Sequence, residues 1–331
     1  MYLSIYNLRK APFAMTPDPN AFYVSATHRE ALVGLSYSIM GEKGFALLTG
    51  DAGMGKTTLT ARIMQQLPSG RIKASIVFNP TVTPAEFLEM VLLNFGVEWV
   101  PPSKPQRLAM LRKMLTEADE HRSISLLIVD EAHKLSAELL EEIRLLGNFE
   151  RADKKLLQIV LVGQSELAGI LDAPELWQFK QRFATRVHIA RLNAAEVAEY
   201  VRFRWVGAGG AEVHPFSAEA LAAVAKVSNG IPRVINALCE NALLLALAEG
   251  HTTVNAGHVL QIGAEMNIAI PAEPAPQAAL PCPPTPEVDD APARITCQPV
   301  SATPDPALTV LDRYARPSLF RRCAAMLRFA S

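Results

Sequence analysis

The chain has 331 residues, half of them hydrophobic and a fifth charged, with a formal net charge of −1; that is room for two domains with cores of their own, in the composition of an ordinary globular protein. The near-zero charge carries no general nucleic-acid signal, although it allows a local basic face. Four widely spaced cysteines form no CxxC pair and read as free thiols, the first thirteen residues contain no long apolar run of a signal peptide, and the longest strongly apolar run, residues 242–248, is too short to span a bilayer.

In chain order, residues 1–40 form an opening segment. Pro12, Pro17 and Pro19 break it early, and residues 28–40 then read as a helix. Apolar strands follow at 44–49, 73–78, 125–130, 157–163 and 185–190. Helical stretches separate them, among them 84–96, 105–121 and 137–150. Near-continuous apolar runs alternating with helices predict a parallel sheet covered on both faces. Residues 193–270 read as all-helical. Asn193 with Glu196 is a candidate capping box, Ser217 a candidate cap, and Pro232 a first-turn proline. Four helices there predict a small lid-like bundle.

Beyond residue 270 the composition changes. Eleven of the 36 residues from 271 to 306 are proline, which predicts a disordered or extended linker. Residues 307–331 carry five arginines and one aspartate among apolar residues. Two readings stand for this basic tip: a frayed, solvated tail, which Pro317 favours, and a short amphipathic helix docking on a membrane surface or a partner protein. The expected domains are therefore 1–192 (α/β), 193–270 (helical lid), 271–306 (linker) and 307–331 (tip).

The strongest chemical signal lies between the first strand and the next helix. Gly50, Asp51, Ala52, Gly53, Met54, Gly55, Lys56 and Thr57 fit the pattern G-x-x-x-x-G-K-[ST], with Thr58 continuing into the helix. A glycine-rich turn at a helix start aims backbone N–H groups and the positive end of the helix dipole at one spot. Lys56 can reach outer phosphates and the Thr57 hydroxyl can ligate Mg²⁺. The third strand ends in Asp130 and Glu131, about 70 residues later. Asp130 is placed to hold Mg²⁺ and Glu131 to polarise a water against a γ-phosphate. Residues 130–133 also spell the DEAH tetrad of some helicases; those need two tandem motor domains and this chain has room for one, so His133 reads as an ordinary helix-start residue. Gln164 ends the fourth strand, where an amide can touch the γ-phosphate and the attacking water. Arg182, just before the last strand, suits the charge spread over a phosphoryl group in transfer, with Arg186 as its competitor. Arg233 opens a lid helix and can couple lid angle to the nucleotide.

The whole set resembles the AAA+ ATPases, and more narrowly the ExeA/GspA family, which is similar to transposition ATPases of the TnsC and MuB type. The residues that carry this are the opening MYLSIYNLRKAPFAMTPDPNAFYVSATHREAL, then GDAGMGKTT, LLIVDEAH, LVGQSEL, QRFATRVHI and NGIPRVINALCENALLLA. The resemblance covers about residues 1–270. It implies a P-loop fold with a helical lid, ATP and Mg²⁺ as cofactors, and ATP hydrolysis. It implies Walker A roles for Lys56 and Thr57, Walker B roles for Asp130 and Glu131, sensor roles for Gln164 and Arg233, and a trans-acting arginine finger at Arg182. The segment 18–23 is expected near the adenine. A ring or filament of identical subunits is implied, since the finger must act on a neighbour. ExeA-type proteins continue into a membrane span and a peptidoglycan-binding domain; neither is in this sequence, so direct action on the cell wall is not expected, and the expected location is the cytoplasm, peripheral to the inner membrane where the tip docks. Duplex DNA is the alternative partner, with Lys104, Arg107, Arg112, Lys113, Lys154 and Lys155 as candidate contacts; the same residues equally describe a solvated helix face.

Overall fold

The computed structural model describes residues 2–15, 22–68, 70–78 and 80–268. The described residues all lie within one compact unit. The expected linker and basic tip lie outside the described residues.

Among the described residues the sheet has five strands: β1 (Phe45–Gly50), β2 (Ile72–Val77), β3 (Ile124–Val129), β4 (Leu157–Gly163) and β5 (Phe183–Ile189). Their order is β2-β3-β4-β1-β5 and every pairing is parallel. Parallel neighbours require crossover connections, which the helices provide: α2 (Ala26–Met40) before β1, α3 (Lys56–Gln66) after it, then α4 (Pro84–Asn94), α5 (Lys104–Glu120), α6 (Ala137–Leu146), and the short α7 (Glu166–Leu171) and α8 (Trp177–Lys180). A further short helix, Tyr2–Ile5, starts the chain.

Alternation along the central strands divides the core in two. Leu47, Leu127, Val129, Ile159 and Leu161 face α4 to α6, while Ala46, Leu48, Leu126, Ile128, Val160 and Val162 face α2 and α3. With apolar cover on both faces, a one-residue slip would exchange the two sets, so side-chain packing sets the register. The outer strands β2 and β5 bury only alternate residues. The full apolar run predicted for all five strands therefore holds for the three central ones.

The helix starts follow from local side chains. Thr83 with Glu86 and Asn193 with Glu196 form capping boxes, and Ser25, Ser136 and Ser217 accept from N3 backbone N–H groups. The helix predicted over 137–150 ends at Leu146. Residues Glu150 and Lys155 pair as an isolated bridge beyond it, and a side chain at Gly147 would meet the Phe45 ring at 2.1 Å.

The helical bundle comprises α9 (Ala194–Gly207), α10 (Ala218–Ser228), α11 (Pro232–Ala248) and α12 (Ala256–Glu265). The opening segment packs into its core: Tyr2, Leu8 and Phe13 are buried with Tyr200, Trp205 and Phe216. Arg204 Nε donates to the Pro12 carbonyl at 2.6 Å, and the Arg9 N–H to the Ala208 carbonyl at 2.8 Å. Gly230 joins bundle to sheet at φ +70°; a Cβ there would lie 2.0 Å from the Leu192 carbonyl oxygen.

Candidate nucleotide-binding site

The loop from Gly50 to Gly55 leaves β1 and enters α3, whose first residue is Lys56. Gly55 precedes the helix at φ +84°, and no side chain caps its first turn. The orphan N–H groups of that turn are thus open to an anion, with the helix dipole behind them. The buried Lys56 Nζ donates to the Gly50 carbonyl at 2.7 Å and the Asp51 carbonyl at 2.9 Å. Burial lowers its pKa, and the Glu131 and Asp130 carboxylates oppose that shift. Asp51 is anchored from two sides, by Ser165 Oγ at 2.7 Å and Arg191 Nε at 2.6 Å. Those two bonds hold its carboxyl below the ordinary range.

Sheet order brings the acidic strand end to this loop. β4 lies between β1 and β3, so Gly50 at the end of β1, Asp130 just after β3 and Gln164 just after β4 stand at three adjacent strand ends. Thr57 Oγ1 donates to Asp130 Oδ2 at 2.9 Å, and the Glu131 N–H to Asp130 Oδ1 at 2.8 Å. A hydroxyl and a carboxylate in contact are a hard-oxygen pair of the kind Mg²⁺ takes. With the open helix start and the glycine cradle, the residues present fit a magnesium–nucleotide.

Glu131 adopts φ +54°, an uncommon left-handed conformation for a side-chain-bearing residue. Its carboxylate lies 3.5 Å from His133 Nε2 and 3.4 Å from Lys134 Nζ. His133 is not an ordinary helix start. It sits in a single 3₁₀ turn, Ala132–Lys134, where its Nδ1 accepts the Gln164 backbone N–H at 3.3 Å and its Nε2 faces the Gln164 amide at 3.1 Å. Nothing in the local sequence signals that link, because β4 supplies the partner.

Gly53 through Thr58, Glu131 and Gln164 line a cavity of about 380 Å³, closed from the bundle side by Arg233, Tyr200 and Asn236. The Arg233 N–H donates to the Gly53 carbonyl at 3.3 Å, and a Cβ on Gly53 would meet Arg233 Cβ at 2.8 Å. Tyr200 donates to Asn236 Oδ1 at 2.9 Å within the buried wall. Phe22 and Tyr23 line the same cavity; the earlier part of the segment expected near the base lies outside the described residues. His28 also lines it, with Nε2 3.0 Å from the Met54 carbonyl and Nδ1 2.7 Å from Ser25 Oγ. Sequence reading placed His28 only as a helix start. Arg191 was missed as well; a cation directly between the last strand and the lid was the available signal.

Arg182 does not line this cavity. Its Nη1 donates to the Arg144 carbonyl at 2.9 Å and Asn148 Oδ1 at 2.7 Å, at the open end of α6. Arg186 donates to the Lys180 carbonyl from within β5. Among the proposed DNA contacts, Arg107 is corrected: it is buried, bonded to the Pro101 and Ala85 carbonyls, and paired with Glu89 at 2.9 Å. Lys104, Lys113, Lys154 and Lys155 pair with Glu142, Glu117, Asp119 and Glu150. Glu249, His251 and His258 cluster in the bundle. His258 Nδ1 accepts the Asn255 N–H at 3.1 Å, so its proton is on Nε2 and points to Glu249 at 3.0 Å. That tautomer offers a cation no lone pair at Nε2. No helix among the described residues is long and apolar enough to cross a membrane.

Residues 39–171 match the AAA domain family. The chain is 38% identical to general secretion pathway protein A of Aeromonas hydrophila over 266 residues, 78% of this chain and 47% of that protein. It is 28% identical to the ATP-dependent target DNA activator B of Escherichia phage Mu over 193 residues, 56% of each. The chain thus spans about half the length of the curated relatives it matches. Its fold is similar to that of the Aeropyrum pernix ORC2 protein, solved in ADPNP–ADP complexes, at a TM-score of 0.58 and 16% identity, covering 77% of this chain and 71% of that one.

Proposed function

We propose, from the premise of a chain built on an AAA+ P-loop domain and related to general secretion pathway protein A, that it binds ATP with Mg²⁺, hydrolyses the β–γ bond, and acts as an oligomeric switch or motor in secretion or envelope assembly. The observation that carries this is an uncapped, glycine-preceded helix start whose Thr57 bonds to Asp130 and lines one cavity with Glu131.

In this reading Lys56 leaves the Gly50 and Asp51 carbonyls and transfers its N–H donors to the outer phosphates. The cost of breaking those bonds is offset by charge-assisted bonds to a stronger acceptor. Thr57 and Asp130 would hold Mg²⁺, which would supply positive charge against the phosphoryl oxygens. The oxygen of a water attacks the γ-phosphorus in line as the bond to the ADP oxygen breaks, and its proton passes to Glu131. Gln164 orients that water. Arg233, tied to Gly53 through its backbone, reports the phosphate to the lid. Arg182 serves the site of an adjacent subunit, released from α6 when the subunits meet. The location is the cytoplasm, at the inner membrane where the C-terminal tip docks on lipid or a protein partner.

Titration calorimetry with Mg-ATP, followed by phosphate release, tests this. Binding heat and turnover that both vanish in Lys56→Ala are expected; a folded wild-type protein that binds no nucleotide ends the reading.

A second reading is favoured by the similarity to the phage Mu activator: an ATP-dependent filament on duplex DNA that recruits another DNA-acting protein. A gel shift with duplex DNA that needs ATP and weakens steeply with salt separates it from the first. Arg112 is the one proposed contact for which no acidic partner is found among the described residues.

A further inference from the structure

We propose that His133 is a positioning residue that joins the Glu131 carboxylate and the Gln164 amide into one array through its Nε2–H. This rests on the hydrolytic reading above and adds a residue to it.

The Gln164 backbone N–H can only donate, and it donates to His133 Nδ1 at 3.3 Å. A neutral imidazole has one donor and one acceptor nitrogen, so an accepting Nδ1 puts the proton on Nε2. That proton faces two groups. One is the Gln164 side-chain amide, whose Nε2 stands 3.1 Å from His133 Nε2; two N–H donors cannot face each other, so the Nε2–H tautomer requires the amide to be turned with its oxygen in that place. The other is Glu131 Oε2 at 3.5 Å. The ring is largely buried, with 14% of its side chain exposed. Its backbone also packs closely on the end of β4, since the His133 nitrogen lies 3.2 Å from where a Cβ on Gly163 would be. One ring therefore reads the end of β4 twice and touches the end of β3 once.

Two consequences follow. With its oxygen turned to His133, the Gln164 amide has its NH₂ directed away from the ring, able to donate to a phosphate oxygen or a water. The Glu131 carboxylate, on a residue already in an uncommon backbone conformation, receives an N–H donor on one oxygen and keeps the other for a water proton. Removing the donor leaves both side chains in the cavity but uncouples their rotamers. The rate of the chemical step then falls while nucleotide affinity, set by the loop and Lys56, does not.

The test uses two near-isosteres of opposite sense in the full chain. His133→Asn keeps an acceptor near the Nδ1 position and loses the distal donor; His133→Gln keeps a donor near the Nε2 position and loses the proximal acceptor. With saturating Mg-ATP, kcat is expected to fall about 10-fold or more in His133→Asn and to stay within about 3-fold of wild type in His133→Gln, with Kd for a fluorescent ATP analogue within about 3-fold in both. A purely structural ring predicts the reverse order, since the proximal bond to the Gln164 main chain is the fold contact. Equal kcat in the two variants, or a more active asparagine variant, overturns the proposal. Long-range ¹H–¹⁵N spectra of wild-type protein test the premise without any substitution: the Nε2–H tautomer at His133 is expected, and an Nδ1–H tautomer overturns it. A wild type that binds but never hydrolyses ATP would instead overturn the hydrolytic reading and leave the tautomer result to decide the link between the strand ends.

Discussion

Asp51 and Arg191 form an ion pair at 2.6 Å across 140 residues of chain. It ties the second residue of the phosphate loop to the segment that leaves β5 for the bundle. Both side chains are partly exposed, at 29% and 44%, so the pair contributes at most about 1 kcal/mol to stability. Its larger effect is on the loop. Asp51→Asn is expected to leave the melting temperature within a few degrees of wild type, and to speed ADP release in stopped-flow as the loop loses its tether. An unchanged release rate would remove Arg191 from the nucleotide cycle. The native carboxyl titrates below its ordinary 3.8, so this contribution is complete above that value and is lost as pH falls through the native pKa.

Lys56→Ala removes the buried ammonium and leaves the Gly50 and Asp51 carbonyls without that donor. ATP affinity is expected to drop by at least about 100-fold, the scale of a charge-assisted contact to phosphate. Calorimetry with Mg-ATP reads this directly, and near-wild-type heat would place the phosphates elsewhere.

Glu131→Gln keeps the shape of the side chain and abolishes its basicity. Nucleotide binding should persist while turnover falls on the order of 100-fold or more, the usual scale of a general base. Phosphate release at saturating Mg-ATP measures it. Equal turnover assigns proton abstraction to another group.

Arg182→Ala has two separable effects. Loss of the bonds to the Arg144 carbonyl and Asn148 at the end of α6 should lower stability by about 1 kcal/mol. If Arg182 serves a neighbour's site, activity in mixtures with wild type should fall faster than the wild-type fraction. A strictly proportional decline in a titration series removes the trans role and leaves the cap.

His28 links Ser25 to the phosphate loop at Met54 and is almost fully buried. Burial holds its pKa below 6.5. Above that value the ring is neutral in both states and pH has no effect through it. Below it the unfolded chain takes up a proton that the native chain refuses, so stability falls as pH falls from 6.5 towards the native pKa. His214, also held low by burial, acts in the same sense. Urea unfolding at pH 7.5 and 5.5 should show a shallower loss in His28→Gln than in wild type; identical slopes would mean that the ring is not protonated on unfolding in this range.

Local chemistry was enough to locate the phosphate loop, the acid pair after β3, the five strands and the caps at Asn193 and Ser217, because each depends on residues within a few positions of one another. Cap, turn and apolar period act over one or two turns of chain, so Asn193 with Glu196 or Gly55 before Lys56 is legible directly. Tertiary structure alone decided which strand ends meet. Once β4 inserts between β1 and β3, Gln164 stands between the loop and Asp130, and the ring of His133 finds its partners. Packing beyond the local chain also turned Arg107 inward to the Pro101 and Ala85 carbonyls, set Gly147 against the Phe45 ring where α6 ends at Leu146, and brought Arg191 to Asp51. Apart from the short Arg107–Pro101 bond, these pairings join residues from about twenty to more than a hundred positions apart. Their geometry is set by sheet order and by what each face must bury, and no local periodicity encodes it.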